Sequence, residues 1–193
     1  MRIGPACEPA GRWAGDPARR TLTATIIKPE VSMFEKALGL PLHVLVVHAV
    51  VVFVPLLVLL ALAYVALPRF RARLDWAVAA LAVVAPITAW VSVQSGEALQ
   101  ERQIARGFSG EILDKINEHA EYGDVLFWIT LGLAVAVVLL LVATGRHDRL
   151  PKLPNWAAPV LSVLVLGLGV AALVYVWLTG HSGAEMVWGN TFE

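Results

Sequence analysis

The sequence predicts an all-α protein: a four-transmembrane-helix bundle with an outer amphipathic helix before the third span. Three observations carry this. Hydrophobic residues fill 58% of the 193 positions and charged residues only 16%. With a mean hydropathy of +0.71, a soluble domain of this size has no core large enough to take up the apolar surface. The charges leave four long gaps: 32 residues between Lys36 and Arg69, 21 between Asp75 and Glu97, 21 between Asp124 and Arg146, and 32 between Lys152 and Glu185. A hydrocarbon core about 30 Å thick needs roughly 20 apolar residues in a helix. No segment alternates in polarity as barrel strands do, and a helix satisfies its own backbone hydrogen bonds in lipid.

The elements follow in order. Residues 1–36 are rich in Pro, Gly, Arg and Thr without an apolar run, and are expected to be a disordered tail. Arg19-Arg20 is not read as a twin-arginine signal, because the apolar run begins some 20 residues later instead of at once. Cys7, the single cysteine, has no preceding apolar run to make a lipoprotein signal and no partner for a disulfide. Met33 is an alternative start. Residues 37–193 form the transmembrane domain, with spans at about 42–67, 76–95, 122–143 and 156–179. Pro55 and Pro86 fall mid-span, where proline kinks a helix. Trp76 and Trp156 mark one membrane interface, and Trp90, Trp128, Trp177 and Trp188 lie toward the other.

Basic residues in short loops set the orientation. Arg69, Arg71 and Arg73 follow the first span, and Arg146, Arg149 and Lys152 follow the third, so both loops are expected in the cytoplasm. The connection from Glu97 to Asp124 holds seven acids against three bases, a net charge of −4, and is expected outside together with both termini. The resulting expectation is a multi-pass protein of a bacterial plasma membrane. Within the connection, Phe108, Ile112, Ile116, His119 and Ala120 recur at spacings of three and four, the period of an amphipathic helix. Ser109 is the expected N-cap, and Glu111 suits the first turn. The helix is expected to run into the third span with His119 on its bundle-facing stripe. A net charge of zero with no basic patch argues against nucleic acid as a partner.

Five histidines are present, and His147 sits among charges in the second basic loop, where it reads as a solvated residue. The other four, His43, His48, His119 and His181, all fall at the outer ends of spans. At ~1.5 Å per residue, His43, His119 and His181 stand about 36–37 Å above the opposite helix ends, with His48 about 7–8 Å deeper, near Gln94. A lone histidine at a helix end is ordinarily interfacial or hydrogen-bonded to a neighbour. Four gathered near one level on the same side, the deeper one inside a span where ionisable groups are costly, point instead to a metal or haem site built from facing helices. His43 and His48 lie about 140° apart around one helix, which favours one as ligand and the other at the rim. If haem b is bound, the preferred ligands are His48 with His119. The reserve pairing is His43 with His119, at equal height, and His181 lies at the rim. Another His-bound transition metal, drawing on His43, His48, His119 and His181, or no cofactor at all, are the alternatives.

A weak internal repeat accompanies the histidines. The first and third spans each open with a histidine, His43 and His119. The second and fourth each close on a Ser-Gly pair before an acid, Ser95-Gly96-Glu97 and Ser182-Gly183-Ala184-Glu185. Two helical hairpins related by a pseudo-two-fold axis would produce this. Other chemistries find no support: the chain has no HExxH, P-loop or Rossmann fingerprint, and no serine elbow or triad, so no catalytic residue is assigned. The charge-free gaps Asp75 to Glu97, Asp124 to Arg146 and Lys152 to Glu185 leave the second, third and fourth spans no acid or base in their interiors to line a transport path.

The run Gly39-Leu40-Pro41-Leu42-His43-Val44-Leu45-Val46-Val47-His48 resembles the opening of a family of small four-helix bacterial membrane proteins, domain of unknown function 2231. Its pattern has two histidines five apart at the start of the first span and another before the third, which His119 matches. A glycine-rich close after the fourth span is matched by Gly180 to Gly189 and resembles the actinobacterial branch. The resemblance covers residues 38–190. Where the family often has Phe-Pro after the second histidine, this chain has Ala49-Val50. His181 is less regular in the family than the other three. The resemblance implies a four-span membrane protein. Because some members are fused or adjacent to Rieske-type domains, it also implies, by analogy, a redox setting.

Two functions of different class follow as expectations. In the first, the protein carries b-type haem or another transition metal at its outer face and transfers electrons to a membrane or periplasmic redox partner. In the second, it is a non-catalytic scaffold or accessory subunit whose histidines are structural.

Overall fold

A computed structural model describes residues 36–37, 40–145 and 154–189. The chain divides into two units, and everything described belongs to the second, Ser32–Glu193. Most of the expected tail, with Cys7, Arg19-Arg20 and Met33, lies outside the described residues, as does the 146–153 loop with His147.

Lys36–Ala37 (β1) and Leu40–Pro41 (β2) pair antiparallel over two residues each and lead directly into the first helix. Four helices follow: α1, Leu42–Ala66; α2, Arg71–Ala105; α3, Glu111–Thr144; and α4, Ala157–Trp188. A 3-10 turn at Pro68–Phe70 joins α1 to α2, with proline where its missing N–H costs nothing. All four helices are long and apolar enough to cross a membrane. α1 and α2 stay helical through Pro55 and Pro86.

Three of the helices outrun their expected spans. α2 continues to Ala105, α4 continues to Trp188, and α3 begins at Glu111. A gap between charges measures only the stretch that lipid must cover, while a helix goes on into water as long as its residues favour it. The expected outer amphipathic helix is the first part of α3, continuous with the third span. Its cap differs from expectation: Gly110 occupies the N-cap at φ 67°, with no side-chain cap bond, so Ser109 stands one residue too early. A backbone in that left-handed region favours glycine. Glu111 and Asp114 sit in the first turn, and Glu111 pairs with Lys115 at 3.3 Å.

Packing runs in a ring: α1 on α2, α2 on α3, α3 on α4, and α4 back on α1 through the slightest of the four interfaces. α1 and α3 bury mostly large side chains, Val54, Leu57, Val58, Leu126, Leu133, Val137 and Leu140 among them, whereas α2 and α4 each bury one valine, Val78 and Val165, beside the small residues Ala82, Ala85, Ala89, Gly169 and Ala172. Small residues let backbones approach, which drives helix association where lipid removes the hydrophobic incentive. A Cβ on Gly169 would lie 3.1 Å from Val58 Cγ1. The outward faces carry large apolar side chains such as Val52, Leu59, Val163 and Leu166, and tryptophans at 76, 128, 156 and 177 are more than 60% exposed, as an aromatic belt requires.

Candidate functional site

At the end of the bundle where α1 begins and α4 ends, two imidazoles meet across the diagonal. The rings of His43 on α1 and His119 on α3 have centroids 6.1 Å apart and planes at 86°. Both are half-buried. Equal height on spans one and three, read from residue counts, is what brings them together.

Each ring rests on the neighbouring helix of its own hairpin. His43 Nδ1 donates to the Ser92 carbonyl at 2.9 Å, with Ser95 Oγ at 3.5 Å. Ser95 Oγ itself donates to the Ser92 carbonyl at 3.0 Å. His119 Nδ1 lies 2.9 Å from Ser182 Oγ, which donates to the Thr179 carbonyl at 3.1 Å. The next residue in each case is a glycine filled by the ring: a Cβ on Gly96 would lie 3.2 Å from His43 Cε1, and one on Gly183 would lie 3.0 Å from His119 Cε1. The Ser-Gly repeat legible in the sequence is thus a duplicated imidazole cradle. Its full form, Ser92-Val93-Gln94-Ser95-Gly96 and Thr179-Gly180-His181-Ser182-Gly183, adds a hydroxyl residue three positions before the serine.

The other two histidines stand apart. His48 is exposed on the lipid-facing side of α1, and its Nδ1 donates to the Val44 carbonyl of its own helix at 2.7 Å. The 140° between it and His43 explains this: with His43 turned inward, His48 turns out. The structure therefore brings His119 to His43, the reserve pairing, and not to His48. His181 is exposed and stacks on Trp177, with ring centroids 5.3 Å apart and planes at 3°. Among the described residues, no group of three or more His, Cys, Asp or Glu side chains is placed to hold a metal ion.

A polar cluster at the opposite end was not singled out from sequence. Tyr64 is 1% exposed. Its hydroxyl donates to Thr144 Oγ1 at 2.8 Å, because Thr144 gives its own proton to the Leu140 carbonyl at 2.7 Å. Arg71 Nε donates to the Tyr64 carbonyl at 3.1 Å, and its guanidinium lies over the Tyr64 ring. Asp75 on α2 has one buried carboxylate oxygen without a hydrogen-bond partner. A tyrosine at the start of an arginine-rich turn was the available signal.

No curated relative and no solved structure matches the chain. The family model for a predicted membrane protein (DUF2231) matches residues 39–192, which include all four spans and both cradles. The chain belongs to that family of predicted membrane proteins.

Proposed function

We propose that this integral membrane protein is a redox protein in which His43 and His119 ligate a transition-metal centre, b-type haem in the first place, at the histidine end of the bundle. The observation that carries the reading is the ring pair, 6.1 Å between centroids on diagonal helices. Two imidazoles this close on facing helices would be the residues to hold one metal ion between them, imidazole being the commonest protein ligand for such ions. The donor set points the same way. Two imidazoles complete the coordination of haem, whose macrocycle supplies the rest, but are too few for a tetrahedral zinc site. Haem so held supplies one-electron chemistry, with a membrane or periplasmic redox protein as partner. The basic residues at 69–73 and 146–152 support a cytoplasmic opposite end, which puts the histidines outside the plasma membrane.

One observation favours a second reading. The glycine notches hold the rings as tightly as packing knobs, and the protein would then be a scaffold or accessory subunit with structural histidines. The absorbance spectrum of the purified protein separates the two. A Soret band that shifts on dithionite reduction is expected, lost in His43→Ala and His119→Ala and kept in His48→Ala and His181→Ala. A colourless, metal-free protein overturns the redox reading in favour of the structural one. Reporter fusions at Gly107 and His147 test the orientation: phosphatase activity is expected at Gly107, and activity at His147 would reverse it.

A further inference from the structure

The hydrogen bonds fix more than the positions of the two rings. A carbonyl only accepts, so His43 Nδ1 must carry its proton to reach the Ser92 oxygen at 2.9 Å. On the other side the partner is a hydroxyl with a single proton. Ser182 Oγ stands 3.1 Å from the Thr179 carbonyl and 2.9 Å from His119 Nδ1, and with its proton on the carbonyl its oxygen accepts from Nδ1–H. Ser95 likewise spends its proton on the Ser92 carbonyl. The carbonyl in the first cradle requires Nδ1–H on His43, and the same tautomer of His119 completes the Ser182–Thr179 chain in the second, which leaves Nε2 of each neutral ring with its lone pair. Hydrogen bonds of this kind orient metal-ligating histidines and choose which nitrogen binds.

We propose that the two Ser-Gly cradles are tautomer locks, with Ser95, Gly96, Ser182 and Gly183 as positioning residues that hold His43 and His119 as Nδ1–H imidazoles presenting Nε2. The glycines matter as much as the serines, because a Cβ at 3.0–3.2 Å from the ring would lift it away from the acceptors beneath it. The pattern S/T-x-x-S-G unites them: the first residue gives the carbonyl, the serine gives the acceptor oxygen, and the glycine gives the space. This inference rests on His43 and His119 being the ligand pair, yet it makes a statement about the protein without any cofactor.

The test is long-range nitrogen–proton NMR on cofactor-free protein labelled with nitrogen-15 histidine, in micelles at about pH 8, above the ordinary imidazole pKa. Signals are assigned by single His→Gln variants. His43 and His119 are expected as Nδ1–H forms. His181, whose ring stacks on Trp177 outside any cradle, is expected as the solution mixture. An Nε2–H form at either His43 or His119 overturns the proposal. Gly183→Val is expected to move His119 toward the mixture while leaving His43 unchanged, and Gly96→Val to do the reverse. Should either valine variant fail to fold, the corresponding alanine variant, which favours the helix, is expected to produce a smaller shift in the same direction. A pattern unchanged by all four substitutions overturns the role given to the glycines. A colourless protein with both rings locked would sink the haem reading alone, and a haem protein with unlocked rings would sink only this one.

Discussion

The two cradles share a pattern but are not built alike. In the first, on α2, the backbone is the near partner: the Ser92 carbonyl stands 2.9 Å from His43 Nδ1 and Ser95 Oγ at 3.5 Å. In the second, on α4, the side chain is near, with Ser182 Oγ at 2.9 Å from His119 Nδ1. The first is also deeper, with Ser95 1% and Ser92 9% exposed, while Ser182 is half-buried and Thr179 keeps a buried hydroxyl oxygen without a partner. A carbonyl cannot be removed by substitution and a hydroxyl can. Two halves that hold an imidazole in the same way should therefore differ in how they tolerate mutation.

The largest effect that would sharpen this comparison comes from filling the notches. Leucine at Gly96 or Gly183 forces the ring and its helix apart, and overpacking of this kind costs about 1–3 kcal/mol. Gly96→Leu is expected at the upper end, because its neighbour Ser95 is fully enclosed, and Gly183→Leu at the lower end, nearer the helix terminus. Reversible unfolding in mixed micelles would measure both. Equal losses would show that depth does not distinguish the cradles.

Next comes the hydroxyl that is a near partner. Ser182→Ala removes the acceptor of His119 Nδ1 at 2.9 Å and the donor to the Thr179 carbonyl together. Hydrogen bonds between membrane helices average about 0.6 kcal/mol and reach about 1.7. A loss of about 1 kcal/mol in the same unfolding measurement is expected, and Ser182→Thr, which keeps the oxygen, should recover most of it.

The opposite end of the bundle supplies the control. Tyr64→Phe deletes one interhelical hydrogen bond at Thr144 Oγ1, yet Thr144 keeps its bond to the Leu140 carbonyl and no group is left unsatisfied. About 0.6 kcal/mol is expected, with the nitrogen signals of His43 and His119 unmoved. A shift of those signals would mean that the two ends are coupled, and the cradles could not then be compared in isolation.

How far the sequence revealed this arrangement depends on what each feature needs. Spans, their order and the equal height of His43 and His119 follow from counting residues between charges, because lipid thickness and helix rise are constants. Which way His48 turns was half legible: the 140° separation forbids both histidines from facing inward but does not say which one does. That choice rests on α2, where Ser92, Ser95 and Gly96 receive the His43 ring, and this emerges only once α1 and α2 pack together. The Ser-Gly pairs were visible as a repeat, but their use was not, since a hydrogen bond across helices has no signature in either strand of sequence alone. Tyr64 was missed because a tyrosine at a membrane boundary ordinarily reads as part of the aromatic belt.

The smallest expected effect is the one that most directly separates the two cradles. Ser95→Ala removes a hydroxyl 3.5 Å from His43 Nδ1, a distance at which a hydrogen bond is weak. The nitrogen retains its partner, because the Ser92 carbonyl remains at 2.9 Å, and that carbonyl retains the imidazole as a donor after losing the serine. Nothing buried is orphaned, and an orphaned group is what makes such deletions expensive. The methyl group that replaces the serine side chain fits the same enclosed position and favours the helix. The expected loss is therefore below about 0.5 kcal/mol, smaller than for Ser182→Ala, with His43 still in its Nδ1–H form. Measured side by side, a larger loss for Ser95→Ala than for Ser182→Ala would invert the comparison and place the side chain, not the backbone, as the support of His43.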